Sequence, residues 1–191
     1  AHYVSPAVDA WRKRRIKRIA RAADLIMALY PFEPDFYRES GVRAVFVGHP
    51  LADEIAFSAG DDSERVLARE KLGLELDGTV IALLPGSRMS EIERLGDIFL
   101  ATAKRLAQNL EGCSFVIPCV SGHVREALRS KIERFDDLTV ILVEGDAQIV
   151  LTASDAALVK SGTGTLETML LRRPMVVTYR LDTMTYHLVK A

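Results

Sequence analysis

No apolar run in these 191 residues approaches the roughly 20 uncharged residues a helix needs to span a bilayer. Cysteine is nearly missing. Cys113 and Cys119 share one apolar run, and six residues of strand would hold them about 20 Å apart, beyond disulfide reach. Both read as small buried hydrophobes of a reducing compartment. The four histidines, His2, His49, His123 and His187, make no metal-ligand spacing, so no metal site is expected. There is no Gly-x-Ser-x-Gly and no Gly-Lys-Ser/Thr of a P-loop, and no nucleophile–base pair stands out. The basic start and apolar run of a secretory signal are lacking too. So is an initiator Met, while residues 184–190 form a helical pattern without a stop signal. An internal piece of a longer protein is the expectation.

What is present is the composition of a globular chain, 49% hydrophobic and 27% charged, with net charge −1. The charge is uneven. Residues 1–24 hold seven Lys and Arg against two Asp, and the remainder eighteen against twenty-four acids. Apolar β-rich runs fall at 2–4, 25–29, 44–47, 80–84, 114–118, 138–143, 156–159 and 175–179. Several are continuously apolar, as parallel strands covered on both faces are. Helical patterns alternate with them near 9–23, 34–40, 64–73, 90–110, 122–134, 146–153, 163–172 and from 182 onward. In the clearest, Ile92, Leu95, Phe99, Ala103, Leu106 and Leu110 make one buried stripe. The alternation predicts an α/β fold of doubly wound parallel sheets. Gly48-His49-Pro50 and the polar stretch 58–63 interrupt it, dividing the chain into 1–57, the tail of one α/β domain, and 58–191, most of a second.

Two turns carry candidate chemistry. In Leu84-Pro85-Gly86-Ser87-Arg88 an apolar run meets a long helix, at the strand end where open α/β sheets bind ligands. Gly86 permits close backbone approach, and Arg88 offers a bidentate contact to phosphate. An ordinary turn with Glu91 and Glu93 complementing the helix start is the competing reading. The second turn is Lys160-Ser161-Gly162-Thr163-Gly164-Thr165-Leu166-Glu167. Its glycines and hydroxyls at a helix start suit an anion, and Glu167, one turn in, suits a ribose diol. A capped helix whose glutamate offsets its own dipole is the alternative. Two such turns in one half-sheet favour a shared nucleotide cleft over coincidence.

A third feature is the basic run 12–21, with Arg14, Arg15 and Arg18 on the outer face of an amphipathic helix whose apolar face holds Trp11, Ile16, Ile19, Ala20 and Ala23. A solvated face is the default; attraction to anionic lipid head groups is the sharper reading, at about 1 kcal/mol per basic residue. Nucleic acid is not expected, because no aromatics interleave with the basic residues. Asp146 and Asp155, at helix–strand junctions, read as turn or capping residues.

In order and spacing, Tyr3-Val4-Ser5-Pro6, Ala10-Trp11-Arg12, Pro31-Phe32-Glu33, Val47-Gly48-His49-Pro50-Leu51, Leu83-Leu84-Pro85-Gly86-Ser87-Arg88 and Ser161-Gly162-Thr163 with Leu166-Glu167 resemble the lipid-A-disaccharide synthase family across essentially the whole chain. Asp9, where the family carries a bulky aromatic, departs from it. The resemblance implies two Rossmann-like domains of the GT-B type, the first only partly present. It implies an inverting transfer of 2,3-diacylglucosamine from UDP to 2,3-diacylglucosamine 1-phosphate (lipid X), with no cofactor and no metal. In that reading Gly86, Ser87, Arg88, Ser161, Gly162, Thr163 and Glu167 bind UDP. Arg88 stabilises the leaving diphosphate, Ser161, Gly162 and Thr163 cradle the phosphates, and Glu167 holds the ribose. The general base and the segment completing a homodimer would lie outside these residues. The family's lipid substrates place the enzyme at the cytoplasmic face of the inner membrane, as a peripheral protein. Other UDP-sugar enzymes of the same architecture, such as the lipid II-forming transferase or a UDP-sugar epimerase, share the chemistry of the two turns. So does a non-catalytic nucleotide-binding module.

Overall fold

The computed structural model describes residues 1–6 and 13–180, without the side chains of residues 13 and 14. Trp11, the departure at Asp9 and the helical pattern from 182 lie outside the described residues. The chain divides into two compact units, Ala1–Ala56 and Phe57–Ala191.

In the first unit β1 (His2–Tyr3), β2 (Leu25–Ala28) and β3 (Arg43–Phe46) form a parallel sheet in that order. Parallel neighbours need a crossover, and α1 (Lys13–Ala22) supplies it between β1 and β2. Its Ile16, Ile19 and Ala20 pack on Ile26, Tyr37 and Val42, leaving Arg15, Lys17, Arg18 and Arg21 exposed. The helix expected at 34–40 is instead a 3₁₀ turn, Glu33–Tyr37. Pro34 fixes φ at its start and lacks an N–H, and Glu33 ties the turn back by accepting the Leu29 and Tyr30 N–H groups at 2.9 Å each. A short helix, α2 (Pro50–Glu54), follows β3 unforeseen. Five residues are too few to show a period. Its start is set by Pro50 at the first helical position and by His49 Nδ1, which accepts the Leu51 N–H at 3.2 Å.

The second unit holds β4 (Thr79–Leu84), β5 (Cys113–Cys119), β6 (Val140–Glu144), β7 (Ala156–Lys160) and β8 (Met175–Thr178). All neighbours are parallel, in the order β6-β5-β4-β7-β8. The helices are α3 (Asp62–Leu72), α4 (Met89–Ala107), α5 (Gly122–Ile132), α6 (Ala147–Ala153) and α7 (Thr163–Leu170). Side chains alternate across each strand. Ile81, Leu83, Phe115 and Ile117 therefore share one face with the stripe Ile92, Leu95, Phe99 and Ala103 of α4 and with Val124 and Leu128 of α5. The intervening Val80, Ala82 and Val116 are also buried, on the face that α6 covers. Burial on both faces explains the continuously apolar runs. Cys119 is buried and Cys113 half-buried, and both are free thiols.

An ionic brace holds the ends of β4 and β7 away from their carboxyl edge. Asp155 Oδ2 accepts the Val80 N–H at 2.8 Å and an Arg69 guanidinium N–H at 2.7 Å. Arg69, with 4% of its side chain exposed, also donates to the carbonyls of Ala153, Leu76 and Gly78. Asp155 thus sits in the turn expected from sequence, between α6 and β7, and from there braces two strands. Asp146 does cap a helix, its Oδ1 accepting the Ile149 N–H of α6 at 3.1 Å.

Candidate functional site

From central β4 the chain crosses to β5 and β6 on one side, then returns by β7 to the other side. At such a switch point the connections leave in opposite directions and open a crevice at the carboxyl ends of the strands. The two candidate turns lie there, residues 85–88 after β4 and 161–162 after β7. Between them is a cleft of about 420 Å³. Gly86, Ser87 and Arg88 line it from the first turn, and Gly162, Thr163, Gly164 and Glu167 from the second, with Pro118, Val120 and Ala147 as an apolar wall. Ser161 is not among the lining residues. It is exposed, and its N–H donates to the Thr178 carbonyl at 2.8 Å. Arg15 and Arg18 belong to the other unit, and the side chain of Arg14 lies outside the described residues.

The first turn is built around Glu91. This residue stands in the first turn of α4, and its Oε2 accepts the backbone N–H groups of Ser87 (3.0 Å) and Arg88 (3.3 Å). Donors at a helix start lack carbonyl partners in their own helix, and a carboxylate there satisfies them. Gly86 makes this possible. Its φ is +129°, and a Cβ there would stand 2.6 Å from the Cβ of Glu91. The missing side chain thus leaves room for the glutamate to fold back against the turn. Arg88 is exposed at the cleft rim.

At the second turn Gly162 has φ +156° and ψ −158°, a region that only glycine enters without strain. It offers no side-chain cap to α7, and Thr163 and Gly164, whose first-turn amides have no carbonyl partner in their own helix, line the cleft. The hydroxyls of Thr165 and Thr168 turn the other way, donating to the carbonyls of Gly162 and Gly164 at 2.6 Å each. Glu167 is half-buried. Burial, then the nearby charge of Asp146, raises its pKa above the ordinary carboxylate value.

Lys160, the last residue of β7, was given no role from sequence, yet it spans the two turns. Its ammonium lies 2.9 Å from Glu91 Oε1, with 19% and 17% of the two side chains exposed. Burial alone would raise the Glu91 pKa. The hydrogen bonds from Lys160, Arg88 and Ser87 outweigh it and hold the carboxyl below its usual value. The available signal was a lysine ending an apolar strand directly before Ser-Gly-Thr-Gly. Its partner, 69 residues earlier, was not readable from spacing.

A family model described as lipid-A-disaccharide synthetase matches residues 1–191. The chain is 49% identical over 189 residues to the lipid-A-disaccharide synthase of Pseudomonas paraeruginosa, covering 99% of this chain and 49% of that protein. To the synthase of Pseudomonas putida it is 48% identical, with the same coverage of each. The chain thus spans about half the length of the curated relatives it matches. Among solved structures, MnaA of S. aureus with UDP aligns at TM-score 0.60 and 20% identity, over 83% of this chain and 43% of that one. HepE of Anabaena, in complex with UDP and glucose, aligns at 0.54 and 17%, over 92% and 51%. At these identities the likeness shows the fold, the parallel α/β architecture of the GT-B type.

Proposed function

The chain belongs to the lipid-A-disaccharide synthetase family, and from that premise we propose that it carries the donor site of an inverting glycosyltransferase. The reaction is transfer of 2,3-diacylglucosamine from UDP to 2,3-diacylglucosamine 1-phosphate, with release of UDP. One observation carries this reading: two turns 76 residues apart in sequence, at Gly86 and Gly162, line one cleft at the switch point of the sheet.

The chemistry asks the protein for charge stabilisation on the departing diphosphate. Groups already in place where negative charge develops supply this best. Arg88 meets the diphosphate from the rim, with a guanidinium that stays charged and binds two oxygens at once. The uncapped amides of Thr163 and Gly164, at the positive end of α7, receive the phosphates from the opposite side. Ser161 has its N–H committed, which leaves its hydroxyl for that role. Glu167 accepts from the ribose hydroxyls. Two donors from a ribose would replace solvent around a carboxylate that burial now penalises.

The test is calorimetric titration of UDP into the 191-residue chain and its Arg88→Ala variant. A lost charged hydrogen bond of about 1.5–3 kcal/mol weakens binding roughly 10- to 150-fold. Equal affinity for the two proteins would refute the role of Arg88. Absence of UDP binding by the wild-type chain would refute the donor-site reading.

A further inference from the structure

Lys160 places a charged group inside the cleft that the roles above leave unused. Its ammonium lies between two groups: Glu91 Oε1 accepts from it at 2.9 Å, and the Tyr179 ring centroid is 5.8 Å away. It also stands close to Gly162, where a Cβ would be 3.4 Å from it. The charge therefore hangs over the start of α7, beside the uncapped amides. An ammonium has three donors, and Glu91 takes one.

Glu91 in turn is immobilised by the backbone. Its other oxygen holds the Ser87 and Arg88 N–H groups, so these two amides are already occupied. For an anion the first turn then offers the side chains of Ser87 and Arg88 and whatever Glu91 orients. Lys160, Glu91 and Arg88 also line a second, polar cavity of about 210 Å³. The pair is thus a wall between two cavities. A partly buried cation acts on an anion more strongly than one in bulk solvent.

We propose that Lys160 is a second cationic contact for the diphosphate of the donor, and that Glu91 is the positioning residue that aims its ammonium at the start of α7. The proposal rests on the donor-site reading and adds a residue to it. Glu91 keeps the cation extended across the gap between the turns before the ligand arrives, so little side-chain order remains to be lost on binding. The remaining ammonium donors then meet phosphate oxygens.

A pair that merely ties the two turns together would make a different prediction. Its loss would loosen the whole cleft, so uridine and UDP would suffer alike. A phosphate contact affects UDP alone. The experiment measures UDP affinity by calorimetry and uridine affinity by ligand-observed NMR for the wild-type chain and for Lys160→Met, Lys160→Arg and Glu91→Gln, each with a thermal melt to verify folding. We expect Lys160→Met to weaken UDP about tenfold or more, the scale of a charge-assisted hydrogen bond, and to leave uridine unchanged. Its UDP affinity should also depend less steeply on salt. Lys160→Arg should restore most of the affinity, and Glu91→Gln should show part of the same UDP-specific loss. Equal losses for UDP and uridine in folded Lys160→Met, or no loss for either, would overturn the proposal. If Lys160→Met binds UDP normally while Arg88→Ala does not, only this inference falls. A wild-type chain that fails to bind UDP removes both readings.

Discussion

Replacing Gly86 by Ala tests how the first turn is built. A non-glycine residue at φ +129° carries backbone strain of about 1–3 kcal/mol. The new methyl would also stand 2.6 Å from Glu91 Cβ and 3.1 Å from its Cδ, so the turn and the start of α4 have to move apart and Glu91 loses its place against the turn. Its departure uncaps the start of α4, worth about 1 kcal/mol, and breaks the partly exposed pair with Lys160, worth about 1 kcal/mol at most. The sum is about 2–5 kcal/mol, or on the order of 10 °C in the melting temperature of a unit this size. Circular-dichroism melts of wild type, Gly86→Ala, Glu91→Gly and the double variant measure it. Glycine is chosen at 91 because an alanine would keep the colliding Cβ. Once Glu91 is gone, the alanine at 86 should cost only its backbone strain, so the double variant should be about 2 kcal/mol more stable than the two single losses predict. Additive losses would refute the account of Gly86 as the space into which Glu91 folds.

Two further outcomes are expected. Asp155→Ala leaves the Arg69 guanidinium buried without its counter-charge, so unfolding in urea should show a loss of about 3 kcal/mol; a loss below about 1 kcal/mol, on the scale of an ordinary surface pair, would mean that the brace does not hold β4 against β7. Glu167 has its folded pKa raised, so above that pKa the native state must keep a half-buried charge, and below the unfolded value of 4.5 the carboxyl is neutral in both states. Glu167→Gln should therefore stabilise the chain at pH 7, with the gain vanishing as pH falls below 4.5, while UDP binding weakens about tenfold through the lost ribose contacts. A gain that persists at pH 4 would show that the burial penalty on the charge is not its source.

The central strands were legible because burial on both faces leaves continuously apolar runs, as at Val80–Leu84, the more exposed β1, β3 and β8 because they too are short apolar runs between turns, and a 3.6-residue stripe betrays α4. Helical elements of five residues or fewer were not, because Pro50–Glu54 and Glu33–Tyr37 are shorter than a 3.6-residue pattern needs. Gly86, Arg88, Gly162 and Glu167 were singled out by their positions at strand ends, which depend only on local order along the chain. The sequence by itself determined the α/β class, the two turns and the family. It did not determine which residues meet across the turns. Lys160 and Glu91 are 69 residues apart, and Asp155 and Arg69 are 86 apart. Neither pairing has a period or a spacing. Both exist because a parallel sheet laid β7 beside β4, and that register, set by packing on both faces, brings the two pairs together.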